Sequence, residues 1–383
     1  MKPLSMKPLS LTRCRSLAFL LCAGLASGAA AQDQELKACG GAAGAPAWAA
    51  ATIKSGGIYR GTVGSLPVAL QLGAGADGVG GEARYYYERK GINIELTPFR
   101  SGESLILQEE VWTGPMEGLV VTGCLTLSRT AAGLTGIWAK SNGLGKLPVR
   151  LSPMNVLGMA LKLPPSPGLL KLKTADPLAF LKLNHAWTAQ AGGKSVREPL
   201  SGIVYPRVLG ASAALNAALQ DQQLGHAVSA LDCESMLGSS DMDEGYDLNA
   251  AITYTSAKLV SLREDAGYYC GGAHPDNFSV GVMLDRATGR AVSLSAIWPK
   301  LTAARQKTLY LAHLPTEVDA ECRDVLPEMG SEFTFHLTPA GLNLTPTSLP
   351  HVVGACAETA VLPFASLKAD ANPQGAYYRE FYR

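Results

Sequence analysis

Tyr268-Tyr269-Cys270-Gly271-Gly272-Ala273-His274-Pro275-Asp276 is where residue types and spacing in this 383-residue chain come closest to chemistry. An imidazole at His274 with a carboxylate at Asp276 is the least from which a general base or a ligand contact can be built. The paired glycines permit positive φ and close backbone approach, which suits a tight turn or bulge at a strand end. His274 would then project from a rigid corner. The structural alternative is that His274 hydrogen-bonds backbone within the turn while Pro275 fixes its conformation. One histidine with one nearby carboxylate underdetermines a catalytic site, so no catalytic residue is assigned. Tyr268, Tyr269, Gly271, Gly272, Ala273, His274 and Asp276 stand together as a candidate binding corner.

The other chemistry-bearing residues are dispersed. His185, His226, His313, His336 and His351 are scattered, and His336, alternating with Phe333 and Phe335, reads as the wet face of a strand. No G-x-S-x-G elbow, H-E-x-x-H helix or S-x-x-K cluster occurs. Asp241-Met242-Asp243-Glu244-Gly245-Tyr246-Asp247 is acidic, but Gly245 holds the fifth position and Ile252 the twelfth of a calcium loop, where ligands are required. It reads as a solvated turn. No cofactor and no metal is expected.

The cysteines and the N-terminus point to export. Lys2, Lys7, Arg13 and Arg15 precede an apolar run from Leu17 to Leu25, and Ala29-Ala30-Ala31 suits cleavage before Gln32, so residues 1–31 are expected to be a signal peptide. Cys22 lies inside the apolar run and Cys39 well beyond it, which fits no lipid anchor. Removing the leader's four cations leaves 29 Lys and Arg against 32 Asp and Glu, a formal charge of −3. That near-balance without a basic cluster argues against a nucleic-acid partner, and no later stretch is long and apolar enough to span a bilayer. Cys39, Cys124, Cys233, Cys270, Cys322 and Cys356 remain, with no C-x-x-C among them, which favours disulfides over metal binding. Fifteen pairings are formally open. Local pairing within domains gives Cys39–Cys124, Cys233–Cys270 and Cys322–Cys356 as the simplest set.

The elements around these residues divide at a proline-rich segment. Residues 32–153 alternate with period two: Val68, Leu70 and Leu72, then Ile92, Ile94 and Leu96, then Leu119, Val121, Gly123, Leu125 and Leu127. About eight strands at this spacing predict a mainly β domain, a meander closed as a barrel or stacked as a sandwich. Tyr85-Tyr86-Tyr87, Trp112 and Trp138 suit cross-strand packing, or else a small-ligand pocket inside the barrel. Residues 154–176, with Leu163-Pro164-Pro165-Ser166-Pro167-Gly168, are expected to form a stiff extended linker. Residues 177–383 read as α+β. A helix is expected over 211–224, ending at Gly225, and another around 301–311. Strands are expected at 248–256, 259–264, 278–284 and 291–294, with a hairpin of 333–337 and 342–344 turning at Pro339-Ala340-Gly341.

Two resemblances follow. "IYRGTVGSLPVALQL" and "LTGIWAKSNGLGKLPVRL" resemble a β-rich module of bacterial envelope proteins without an assigned activity. "LVSLREDAGYYCGGAHPDNFSVGVMLDRATGRAVSLSAIWP" resembles the outer, RsiV-like domain of lysozyme-sensing anti-sigma factors, which also accompanies peptidoglycan deacetylases. The carriers are Tyr268-Tyr269, Gly271 to His274, the Asp285 to Arg290 turn, the Tyr205 to Leu219 entry and the Pro363 to Leu367 ending. The likeness covers about residues 176–368. It implies a periplasmic or secreted domain at the cell wall, with lysozyme or peptidoglycan as partner. The chain lacks a sigma-binding segment and a deacetylase domain, so a non-enzymatic binding protein is the leading expectation. Cell-wall hydrolysis or deacetylation at His274 and Asp276 is the alternative, and oligomeric state is left open.

Overall fold

The computed structural model describes residues 49–50, 56–73, 83–113, 118–237, 245–271 and 274–382. A two-residue strand β1 (Ala49–Ala50) precedes β2 (Gly57–Val63), β3 (Leu66–Leu72), β4 (Ala83–Tyr87), β5 (Asn93–Ser101), β6 (Ser104–Trp112), β7 (Leu119–Thr130), β8 (Gly133–Lys140) and β9 (Leu147–Met154). From β2 to β9 each strand pairs antiparallel with the next, and β9 returns to β2 from Ile58↔Met154 to Val63↔Val149. The meander therefore closes as an eight-stranded barrel, and closure removes the unpaired sheet edges. The alternation explains it. Val68, Leu70 and Leu72 turn inward, as do Leu125 and Leu127 and then Val149 and Leu151, all buried in one core. At about 1.5–3 kcal/mol per buried aliphatic side chain, register is fixed by what a one-residue slip would expose. Gly64 makes the β2–β3 turn at φ +61°, a left-handed conformation that glycine adopts at no steric cost.

One charge lies among these apolar side chains. Glu109 sits on the inward face of β6, opposite Leu96, and is buried. Its carboxylate accepts from the Tyr85 hydroxyl (2.5 Å), Thr122 Oγ1 (2.6 Å) and Trp138 Nε1 (2.8 Å). Burial is also what chiefly pushes the Tyr85 hydroxyl well above its ordinary pKa, with the Glu109 charge adding to it. The aromatic residues thus serve packing and this network, and side chains occupy the barrel interior where a ligand would sit.

Residues 154–176 depart from the expected extended linker. They contain the helix α1 (Pro167–Ala175), followed at once by α2 (Pro177–Leu183). Each helix starts on a proline at its first position, where no intrahelical N–H is required, behind a capping side chain, Ser166 or Asp176. Val156, Leu163, Leu169 and Phe180 are buried against the next helix, α3 (Ala213–Leu237), so the prolines start helices rather than hold a spacer straight. α2 also lies on the outer wall of the barrel, Leu178 against Ala69 and Tyr86. Around that contact Arg84 pairs with Asp176 (2.8 Å), Asn93 N–H donates to Ser235 Oγ (2.8 Å), and the Lys182 ammonium stands 5.1 Å from the Tyr86 ring centre. Burial pulls the Lys182 ammonium down to about 8.

α3 runs through Gly225, where the sequence signalled an end. The apolar stripe continues with Ala227, Ala230 and Leu231, all buried, and outweighs the ~1 kcal/mol that an interior glycine costs. Beyond a small sheet of β10 (Thr188–Gln190), β11 (Ser195–Arg197) and β12 (Val204–Pro206) come β13 (Tyr246–Thr255), β14 (Leu259–Tyr268) and β15 (Asp276–Asp285), an antiparallel sheet in the order β13-β14-β15. Val260 and Leu262 of β14 pack on Leu215 and Leu219 of α3. The opposite face carries Leu259, part of the core with Trp298, Tyr310 and Leu337. The hairpin β16 (Phe333–Thr338) and β17 (Gly341–Pro346), with β18 (Ala360–Leu362), covers this second face. Gly281 is required at the junction: a Cβ there would lie 1.7 Å from the Phe335 carbonyl oxygen. The strand expected over 291–294 reduces to a single bridge, Leu284↔Ala291, before a short helix begins at Leu294. The expected helix near 301–311 spans Ala303–Ala312.

Glu109→Leu leaves three donors without their acceptor inside the barrel. It is expected to lower stability by about 3–5 kcal/mol, measured as a shift in urea midpoint, because breaking a buried charged network strands its partners.

Candidate functional site

The candidate corner joins β14 to β15. β14 ends on Tyr268, opposite Asp276 in the ladder, and the Tyr269 N–H donates to the Gly245 carbonyl. Cys270 is bonded to Cys233 of α3, with Cα atoms 4.6 Å apart. Cys322 and Cys356 form a second bridge, and Cys124 is also disulfide-bonded, its expected partner Cys39 lying outside the described residues. Gly271 takes φ +88°, the left-handed conformation its residue type suggests, and sits against the Trp112 indole. Gly272 and Ala273 lie outside the described residues, as does the acidic run 241–244.

Several of the corner's polar bonds are local. His274 Nδ1 bonds the Pro275 carbonyl (2.9 Å), Tyr268 donates its hydroxyl to Asp276 Oδ2 (3.1 Å), and Asp276 Oδ1 accepts the Asn277 N–H (2.8 Å). With the Pro275 oxygen as acceptor, Nδ1 carries the proton. Tyr268 also packs on Phe278 and Tyr246, with ring centres 6.2 Å away in each case. These bonds hold shape. Among the described residues no group of three or more His, Cys, Asp or Glu side chains could hold a metal ion.

A wide polar groove of about 1050 Å³ opens beside the corner. The sheet contributes Asp247, Asn249, Arg263, Asp265, Asp276, Asn277, Phe278 and Ser279, and the covering hairpin adds Thr334 and Thr345. Asp247 and Asp265 share this face of the sheet with one guanidinium, Asp276 standing at its edge opposite Tyr268, and that guanidinium is already engaged: Arg263 Nε donates to both oxygens of Asp265 (2.8 and 2.9 Å). The surface is therefore acidic and rich in amide and hydroxyl groups. His336 corrects its sequence reading, since it is 5 % exposed rather than on a wet face. β16 lies across β14, so the residues alternating with Phe333 and Phe335 are covered as well. Burial pulls the His336 imidazole down to about 4; the Arg263 charge adds to this and the Asp265 charge opposes it.

No protein-family profile and no curated protein matches this chain.

A second constellation escaped the sequence reading. His226 of α3 lies under the sheet, its ring stacked on Tyr205 and Phe278 with centres 6.0 and 6.3 Å away. Its Nδ1 is 2.8 Å from the Tyr246 hydroxyl and its Nε2 is 3.2 Å from Glu264 Oε2. Glu264, itself buried, also accepts the Tyr205 hydroxyl through Oε1. Because the carboxylate can only accept, the network places the imidazole proton on Nε2 and leaves Nδ1 to accept from Tyr246. Burial and the Glu264 charge raise the Tyr246 hydroxyl to about 12, which keeps it a donor at neutral pH. The available signal was parity: Glu264 falls on the same face of β14 as Val260 and Leu262. Nothing local pointed to His226, two elements away. Of the other histidines, His185 pairs with buried Glu198 (2.8 Å) and His313 Nδ1 bonds the Leu309 carbonyl (2.9 Å).

Two outcomes test this assignment. Glu264→Ala removes the acceptor for both Tyr205 and His226 and is expected to cost about 3–5 kcal/mol in urea unfolding. For His336, the unfolded chain binds a proton near pH 6.5 that the folded chain refuses until about pH 4. Its contribution is thus present above pH 6.5 and lost as pH falls through that window, by about 3 kcal/mol at pH 4. Unfolding series at pH 7 and pH 4 should show His336→Asn losing less stability on acidification than wild type by about that amount.

Proposed function

We propose that this chain is an exported, non-enzymatic binding protein of the bacterial cell envelope, and that the groove beside the Tyr268–Asp276 corner takes a basic protein of the lysozyme type. The observation that carries the reading is the groove itself. Asp247 and Asp265 outnumber Arg263 on a surface framed by paired strands, with Asp276 at its edge. Complementary charge of this kind steers association and selects a cationic partner. The disulfides fit an oxidising compartment, the expected leader adds a route to it, and the resemblance of residues 176–368 to the RsiV-like domain names the partner class. Among the described residues no helix is long and apolar enough to cross a membrane.

Peptidoglycan is the competing ligand, since the amides and hydroxyls of the groove also suit a saccharide. Catalysis at His274 and Asp276 draws less support, because the bonds seen there are those of a turn. Titration calorimetry of the mature chain with several lysozymes and with soluble peptidoglycan fragments separates these readings. The expected result is saturable lysozyme binding at micromolar protein, weakened roughly tenfold or more by the combined substitutions Asp247→Asn, Asp265→Asn and Asp276→Asn, and weakened by salt. No lysozyme binding, with binding of fragments alone, would transfer the groove to the cell wall. Turnover of fragments that His274→Ala abolishes would make the chain an enzyme.

A further inference from the structure

The inner end of the groove is built differently from its mouth. Arg263, Asp265 and Gly267 follow one another on the groove face of β14, because residues two apart on a strand share a face. Asp247 lies opposite Gly267 at the mouth. Arg263 lies at the other end, opposite Gly281, where β16 closes over the sheet. From Arg263 to Gly267 the strand rises about 13 Å, at roughly 3.3 Å per residue. The groove thus has a guanidinium where the hairpin covers it and the Asp247 carboxylate where it opens.

Arg263 is held by one edge only. Its Nε donates to both oxygens of Asp265 (2.9 and 2.8 Å), and neither Nη nitrogen donates to an acceptor among the described residues. A guanidinium has five N–H donors, so four are left on its outer edge. The two side chains are 35 % and 38 % exposed. An ion pair so open to water contributes little stability, and its effect is to orient the guanidinium. The backbone beneath is fixed as well. Gly281 admits β16 at close range and donates its N–H to Thr334 Oγ1 (2.7 Å), while Ser261 Oγ accepts the Leu337 N–H (3.0 Å).

A planar fork of N–H groups, fixed from behind, matches a carboxylate and can bind it through two parallel hydrogen bonds. We propose that Arg263 receives a carboxylate side chain of the bound protein, one that stands about 13 Å from a cation seated at Asp247. This rests on the groove being a protein-binding face, and it narrows the partner to a basic protein with an acidic residue in register with its cations. Arg263 then selects among cationic partners, because a uniformly basic segment sets a cation against the guanidinium.

Titration calorimetry of the protein with several lysozymes tests this by the sign of one substitution. Removing a cation from an acidic groove by itself favours a cationic partner, so a bystander at position 263 predicts that Arg263→Gln binds equally or more tightly. The proposal predicts the reverse. Binding at least tenfold weaker is expected for Arg263→Gln, and also for Arg263→Lys, which keeps the charge and loses the fork. Wild-type affinity or better in either folded variant overturns it. Should the variants fail to fold, or should the wild-type protein bind no lysozyme, a pair of peptides decides. Acetyl-Lys-Gly-Gly-Gly-Glu-amide is expected to bind the wild-type protein at least tenfold more tightly than the same peptide ending in Gln. Equal binding of the two, or binding of neither, overturns the carboxylate site. Absence of lysozyme binding with preference for the Glu peptide keeps Arg263 as a carboxylate receptor and removes only the lysozyme-type partner.

Discussion

Burial of one helix on several sides is the constraint from which the arrangement follows. α3 runs for 25 residues, roughly 37 Å at 1.5 Å per residue, and changes neighbours along its length. Leu215 and Leu219 near its start enter the core beneath β13–β15. Leu224, Ala227 and Leu231 then meet α1 and α2. Near its end Ser235 bonds β5 of the barrel, and Cys233 is bridged to the corner. Both halves of the chain are thus packed about it. The corner and the acidic groove take their positions from its C-terminal half.

Buried polar groups supply specificity within that frame. Glu109 inside the barrel and Glu264 beneath the sheet each gather hydroxyl and ring N–H donors from separate strands or helices. A satisfied buried carboxylate contributes modest net stability, yet it penalises any packing that separates it from its donors. Ser261 does the same between layers, accepting the Leu337 N–H while donating to the Val282 carbonyl. Gly281 admits the close approach of β16 at that junction. The groove thus rests on a sheet whose two faces are both anchored, which is the condition for a surface that recognises by shape and charge.

How much of this was legible in the sequence depends on range. Period-two alternation located the strands of the barrel, and the glycine signal at Gly271 marked a real turn. The Cys233–Cys270 and Cys322–Cys356 pairings were legible because each closes a short separation within one part of the chain. Punctuation failed where tertiary burial opposed it. Gly225 sits inside a helix whose apolar stripe runs past it, and the prolines near residue 167 begin helices that pack. His336 was misread because alternation tells which residues share a face and not whether a second layer covers that face. The His226–Glu264 network and the acidic groove were invisible for a related reason: their members come from different elements and meet only through the fold.

Hydrogen exchange of the protein with and without a saturating lysozyme tests the central claim most directly, because it locates the contact without altering the protein. Slowed exchange at the amides of Asp247, Asn249, Gly267 and Asn277 to Ser279, with the barrel unchanged, is the predicted result. Protection confined to the barrel, or no change anywhere at micromolar concentrations, would contradict the assignment of the groove as the binding face.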